Sequence, residues 1–176
     1  GSYGLAQASG PVEISERAGQ WDVKARIAGA GGRGSGFVAA ALGGAPRASL
    51  DGSRLADGRL LLRDLQVLGS GLKVEASGGR SLLGGLTFKG KASVSNLAAA
   101  RAGAAGSAAA TWSATQAKAR QPWAFSVDAR GDRFATGYPE VDRLLGPKPQ
   151  LKAQANLEGR RLAVGSASLA GAALKA

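Results

Sequence analysis

Two short stretches carry residue types that could do chemistry. Gly29-Ala30-Gly31-Gly32-Arg33-Gly34 has the spacing of a dinucleotide loop, where glycine amides approach a pyrophosphate at a helix start. Ser70-Gly71-Leu72-Lys73 has the Ser-x-x-Lys spacing in which a lysine one helical turn along activates a serine. Both chemistries require a helix that the sequence does not supply. Barely two helical turns fit between the glycine stretch and Gly43-Gly44. Ser70 and Lys73 straddle a glycine turn that leads into an alternating, strand-like run. The first stretch therefore reads as a flexible loop and the second as a coincidence of short motifs. Asp51, Asp57, Asp64, Asp132 and Asp142 fall in turns or on polar faces, at no spacing that suggests paired acid–base work.

Composition removes further options. There is no histidine, so the commonest general base and metal ligand is missing, and no cysteine, so disulfides and thiolate metal sites are excluded. The expectation is a non-enzymatic chain with no cofactor and no metal. Cysteine-free composition also fits an oxidising compartment. No run approaches the roughly 18 apolar residues of a membrane span. Gly1-Ser2 reads as a tag-cleavage scar, and the chain as a piece of something longer. Lysine and arginine number 23 against 12 acidic residues, a net charge of +11. The charges are spread singly, with no dense block and no nucleic-acid motif, so they read as solvated strand faces rather than a nucleic-acid site.

The elements follow from alternation. Val12 and Ile14 mark a first strand; Trp21, Val23, Ala25 and Ile27 alternate with Asp22, Lys24 and Arg26 in a second. Gly29 to Gly36 reads as a loop and Phe37 to Leu42 as a short helical turn stopped by Gly43-Gly44. Ala48 and Leu50 begin a strand expected to end at Asp51-Gly52. Asp57-Gly58 is a turn signal. A hairpin follows from Gly58 to Gly79: Leu60 and Leu62, then Leu65 and Val67, keep one facing with a slip near Asp64, and Leu72, Val74 and Ala76 answer beyond Gly69-Ser70-Gly71. Leu86, Phe88, Ala92 and Val94 share the next facing. Asn96 is placed to cap a short helix through Arg101, stopped at Gly103. Ala108, Ala110, Trp112 and Ala114 read as a strand despite the alanines, because Thr111, Ser113 and Thr115 alternate with them.

The pattern then restarts. Trp21 matches Trp123, Gly29 matches Gly131, Val67 matches Leu169, Gly69 matches Gly171 and Leu72 matches Leu174, all 102 positions apart. Trp123, Phe125, Val127 and Ala129 repeat the tryptophan-led strand. Pro139 opens a helical turn that Gly146 closes. Leu151, Ala153, Ala155 and Leu157 alternate, and Leu157-Glu158-Gly159 reads as the counterpart of Leu50-Asp51-Gly52. A closing hairpin runs from Gly159 to Ala176. Ala172 stands where the first copy has Ser70, and Gly131 to Gly137 keeps only the end glycines of the dinucleotide-like loop. Copy one spans about residues 11–118 and a partial copy two about 119–176, so the repeat is about 100 residues long. Turn signals every 8–12 residues or so point to an all-β antiparallel array.

At these residues the chain resembles the TamB family, the inner-membrane-anchored subunit of the translocation and assembly module, within the AsmA-like group. The marks are Gln20 to Gly29 and Pro122 to Gly131, the Leu-Leu-Gly-x-x-Pro turn at Leu144 to Pro149 with a looser copy at Ala41 to Pro46, and the hairpin Gly69 to Gly78. The Asn96-Leu97-Ala98 segment leading to Gly106 belongs with them. The resemblance covers nearly the whole chain and implies an elongated, curved, taco-like antiparallel sheet with an apolar groove. It further implies a periplasmic location, as part of a protein anchored in the inner membrane outside this segment. Its expected partners are phospholipid acyl chains, an outer-membrane β-barrel protein, and neighbouring repeats of the full-length chain.

The candidate groove residues are Val23, Ile27, Leu65, Val67, Leu72, Val74, Leu86, Phe88, Val94, Phe125, Val127, Leu157, Val164 and Leu169. Periodicity alone leaves two readings open, a lipid-facing groove and an ordinary closed core. Trp21, Trp112 and Trp123 alternate with Val, Ala and Phe, so they are expected in the same apolar face rather than as stacking platforms for bases. About ten strands at roughly 4.8 Å span about 50 Å, too short to bridge an envelope alone. The leading expectation is one segment of a phospholipid conduit between inner and outer membranes. The alternative is an interaction module that assists outer-membrane barrel assembly by offering strand edges.

Overall fold

The computed structural model describes residues 2–99, 103–159 and 161–173. In chain order the elements are β1 (Tyr3–Gly4), β2 (Gln7–Ser9), β3 (Val12–Arg17), β4 (Gln20–Ala30), β5 (Arg33–Gly34), α1 (Phe37–Leu42), β6 (Arg47–Arg54), β7 (Leu60–Leu68), β8 (Leu72–Arg80) and β9 (Leu86–Val94). A 3₁₀ turn (Leu97–Ala99), β10 (Ala105–Gln116), β11 (Trp123–Ala135), α2 (Pro139–Leu145), β12 (Gln150–Glu158) and β13 (Arg161–Ala170) complete it. One curved antiparallel sheet holds eleven of the strands, from β13 through β6 and β4 to β2, with β3 also paired to β4. β1 and β5 form a separate two-stranded ribbon. The fold is thus all-β: 61% of the described residues are strand and 10% helical, and among them no helical layer is large enough to cover a sheet of this width.

Register resolves the slip near Asp64. Leu62 faces Gly52 and Leu65 faces Ala76 and Leu50, so Arg63 is the extra residue of a bulge. The bulge keeps Leu60, Leu62, Leu65 and Val67 on one face. The alanine-rich β10 is one continuous strand, paired on both sides, as the alternation of its polar residues predicts.

Several expectations are corrected. Asp51-Gly52 does not end a strand: β6 runs on to Arg54, and Gly52 is needed where a side chain would meet the Leu61 carbonyl at 3.0 Å. The Gly29 to Gly36 loop is half strand, since β4 continues to Ala30 and Arg33–Gly34 pairs with Tyr3–Gly4, while Gly31, Gly32, Ser35 and Gly36 stay outside any strand. The Gly131 end of the second copy is likewise strand, because β11 reaches Ala135. After Asn96 the chain makes only a 3₁₀ turn, with Asn96 Oδ1 accepting from Ala98 N at 3.0 Å; Arg101 lies outside the described residues. Register also changes one repeat match. Trp21 faces Arg54 and Trp123 faces Leu157, so Leu157 corresponds to Arg54, while Leu50 corresponds to Ala153. The proposed match of Leu72 to Leu174 lies outside the described residues.

The two short helices do the same job in each copy. Ser70 N donates to Leu42 O at 3.1 Å, and Ala172 N to Leu145 O at 3.0 Å. Gly71 N donates to Ala41 O at 2.9 Å, and Ala173 N to Leu144 O at 3.1 Å. Gly29 N donates to Pro46 O at 2.7 Å, and Gly131 N to Pro149 O at 2.9 Å. Each helix therefore satisfies its last carbonyls on backbone amides at the sheet margin, those of the β7–β8 turn in the first copy and those just past β13 in the second, leaving the broad face of the sheet clear.

Candidate functional site: an uncovered apolar face

Residues directly opposite in an antiparallel ladder share a face, so the register assigns every strand residue to one side. Val23 and Ile27 lie opposite Gly52 and Ala48; Ala48 and Leu50 lie opposite Val67 and Leu65. Val67 faces Val74, Leu72 faces Val94, and Leu86 and Phe88 face Arg80 and Gly78. Ala114 lies between Phe88 and Phe125, and Trp112 between Gly90 and Val127. Trp123 faces Leu157, Ala155 faces Val164, and Leu151 faces Leu169. All fourteen candidate residues thus lie on a single face of the large sheet.

The same face holds residues outside that set: Val12, Ile14, Trp21, Leu50, Leu60, Leu62, Trp112, Trp123, Leu151 and Leu162. The signal for them was the same alternation. Near β4–β9 the face forms a depression lined by Trp21, Val23, Leu50, Leu62, Leu86 and Phe88. These residues span five strands, which a flat sheet would spread over roughly 19 Å. At β9–β11 the face is floored by aromatics. Trp123 stacks on Phe88 at 6.5 Å between centroids and on Phe125 at 6.1 Å. Trp112 lies over Gly90, where an added Cβ would sit 2.7 Å from the ring.

Among the described residues no second layer closes this face. A folded monomer of 17.5 kDa exposes about 7,900 Å² by the usual size scaling, whereas this chain exposes 11384 Å². Among the described residues the buried apolar side chains are only Ala39, Ala41, Val94, Leu97 and Ala114, and none of the large ones is fully enclosed. The closed-core reading left open by the periodicity therefore does not describe this structure. The apolar face is half-buried by its own neighbours and open above them.

The opposite face is polar and holds the strongest charge cluster. Arg63, projected by the bulge, contacts Asp51 at 2.6 Å and Asp22 at 3.0 Å, and Ser53 bonds both Asp22 and Arg63. Asp51 lies directly opposite Asp64, so the guanidinium also relieves a like-charge pair. The Ser53 hydroxyl, then Arg63 and Gln20, lower the Asp22 pKa to about 2. Arg63 is correspondingly held above its ordinary value by Asp51 and Asp22. Asp142 is lowered by hydrogen bonds from Thr136, which tie the loop to α2. Asp57 is lowered chiefly by the Arg59 amide, and Asp132 sits 3.5 Å from Arg133. Asp22, Asp51, Asp57 and Asp142 are thus occupied by donors, as structural anchors are.

The two sequence motifs have no chemical geometry. The Ser70 hydroxyl points at the Ala40 and Ala41 carbonyls at 3.4 Å, while Lys73 pairs with Glu75 at 2.6 Å. Gly29 to Gly34 lies in antiparallel strands beside a six-residue helix, with no crossover onto a parallel sheet. No cluster of three or more acidic residues able to hold a metal occurs among the described residues. No described helix is long and apolar enough to cross a membrane. No family model matches this chain, and no curated protein or solved structure matches it either.

Proposed function

We propose that this chain is a non-enzymatic segment of a periplasmic, inner-membrane-anchored TamB-like protein, and that its apolar face carries phospholipid acyl chains between the two membranes. The observation that carries the reading is the uncovered apolar face, on a chain whose total exposed surface is about 3,500 Å² larger than that of a closed monomer by the same size scaling. Continuous apolar contact is what an acyl chain needs, since each CH₂ kept from water is worth roughly 0.8 kcal/mol. The alternation, the repeat and the resemblance support it together. The test is photocrosslinking in cells at Val74, on the apolar face, with Glu75 as the control on the polar face. Phospholipid adducts at Val74 and none at Glu75 are expected. Protein adducts at Glu75 with nothing at Val74 would remove the conduit reading.

A second reading is favoured by the strand edges. β3 and β13 leave one ladder side unpaired among the described residues, and almost every residue in them is exposed. Such edges suit β-augmentation, so the segment would pair with unfolded strands of an outer-membrane barrel protein or with neighbouring repeats. Prolines in β13 would abolish partner capture under this reading and leave lipid adducts at Val74 untouched.

A further inference from the structure

The two most exposed large apolar side chains among the described residues lie on neither the sheet face nor an edge strand. They are Leu82, 65% exposed, and Leu83, 75% exposed, at the tip of the β8–β9 turn. A turn closed by Gly84 N to Ser81 O at 3.0 Å and Ser81 N to Gly85 O at 2.8 Å fixes them outward. The Ser81 hydroxyl accepts from Gly85 N at 3.1 Å. The β10–β11 loop lies alongside: a Cβ on Gly85 would meet the Ala117 carbonyl at 2.4 Å, and one on Gly84 would meet Ala119 at 3.4 Å. Arg80, Lys118 and Arg120 flank the tip and are exposed. None of the three has an ion-pair partner among the described residues, unlike Arg59, Arg63 and Lys73.

We infer that this prominence docks on an anionic lipid bilayer, with Leu82 and Leu83 inserted below the headgroups and Arg80, Lys118 and Arg120 on the phosphates. Two leucines this exposed add little buried area to the fold, and burying them in an acyl layer removes most of their remaining contact with water. Three unpaired cations beside them match the negative surface of an acidic membrane. A protein partner fits less well. A two-leucine tip falls far short of the roughly 800 Å² per partner that a stable protein interface buries. A bilayer requires no matching surface. The inference stands on the two turns, with Arg80 joining them from the margin of the apolar face, and so goes beyond the proposed conduit.

The test uses sedimentation with vesicles of phosphatidylglycerol and phosphatidylcholine, against pure phosphatidylcholine, at fixed salt. The chain is expected to bind the acidic vesicles and to bind the neutral ones far more weakly. The double variant Leu82→Ser, Leu83→Ser should weaken binding at least about tenfold, from the lost apolar insertion. The triple variant Arg80→Gln, Lys118→Gln, Arg120→Gln should weaken it on the order of a hundredfold, at about fivefold per cation. Lys24→Gln, Lys89→Gln, Lys91→Gln removes the same charge from the polar sheet face and should stay within about threefold of the parent, those cations lying away from the membrane. The chain has no cysteine, so Leu83→Cys carries one environment-sensitive dye, whose emission should shift to the blue on acidic vesicles only. The inference is overturned by no vesicle binding, by equal losses in the two triple variants, by a double variant that binds like the parent, or by no blue shift. No acyl chain leaves the bilayer in this assay, so its failure and the absence of lipid adducts at Val74 are separate results.

Discussion

Trp123 and Phe88 stack at 6.5 Å between ring centroids and 21° between planes, although a whole strand, β10, runs between theirs. The strand between them supplies Ala114, opposite Phe88 and buried, and Gln116, opposite Trp123, whose amide is turned to Gln121 O at 2.7 Å. A small residue in the middle strand thus lets two aromatics from its neighbours close over it. Ala114→Leu should lift the rings apart and destabilise the fold by about 1–3 kcal/mol, as overpacking does. Urea unfolding followed by tryptophan emission would read it. A variant as stable as the parent, with unchanged emission, would mean the rings are not closed over Ala114 in solution.

The contact of each strand end with its helix gives a sharper steric test. A Cβ on Gly69 would meet the Ala41 carbonyl at 2.5 Å, and one on Gly171 would meet Leu144 O at 2.6 Å. Both obstacles are backbone, which cannot swing aside. Gly165, by contrast, has only the Gln154 carbonyl at 3.8 Å. Gly69→Ala should cost about 1–3 kcal/mol, the usual range for a forced backbone shift, and Gly165→Ala well under about 0.5 kcal/mol. Equal denaturation midpoints for the two variants would count against this docking.

The Arg63 clamp sets a pH dependence. Asp22 ionises at a pKa of about 2 in the fold, below its unfolded value of about 3.9. The ionised carboxylate therefore favours the folded state above about pH 4, and that contribution is lost as pH falls through about 2. The parent should be more stable than Asp22→Asn at pH 6, and the difference should vanish near pH 2. Urea midpoints of both proteins across this range would show it. A gap independent of pH would place the effect of Asp22 in shape rather than charge.

The open edges predict association. Ile14 in β3 and Val164 in β13 are 62% and 63% exposed, on strands with one ladder side unpaired among the described residues. Sedimentation should show oligomers that grow with concentration, and Val164→Lys should suppress them, since a charge on an edge opposes pairing. A strictly monomeric parent at high concentration would mean the edges are already protected.

Much of this architecture was legible in the sequence because a strand has a period of two. Alternation placed Val23, Val74, Phe125 and Val164 on one face without reference to neighbouring strands, and the 102-residue offset announced that β11, α2 and β13 repeat β4, α1 and β7. What alternation cannot carry is anything set between strands. Asp51-Gly52 has the composition of a turn, yet the Arg63 bulge across the ladder takes up the bend and lets β6 run on. Leu157 was matched to Leu50 by residue type, whereas pairing with Trp123 makes it the counterpart of Arg54. Above all, a strand facing a closed core and a strand facing an open trough read identically, because each needs only one apolar side. Whether a second layer comes down on that side depends on where the rest of the chain goes. Here the two helices are held just past the ends of β7 and β13 by their own carbonyls, and the face stays open.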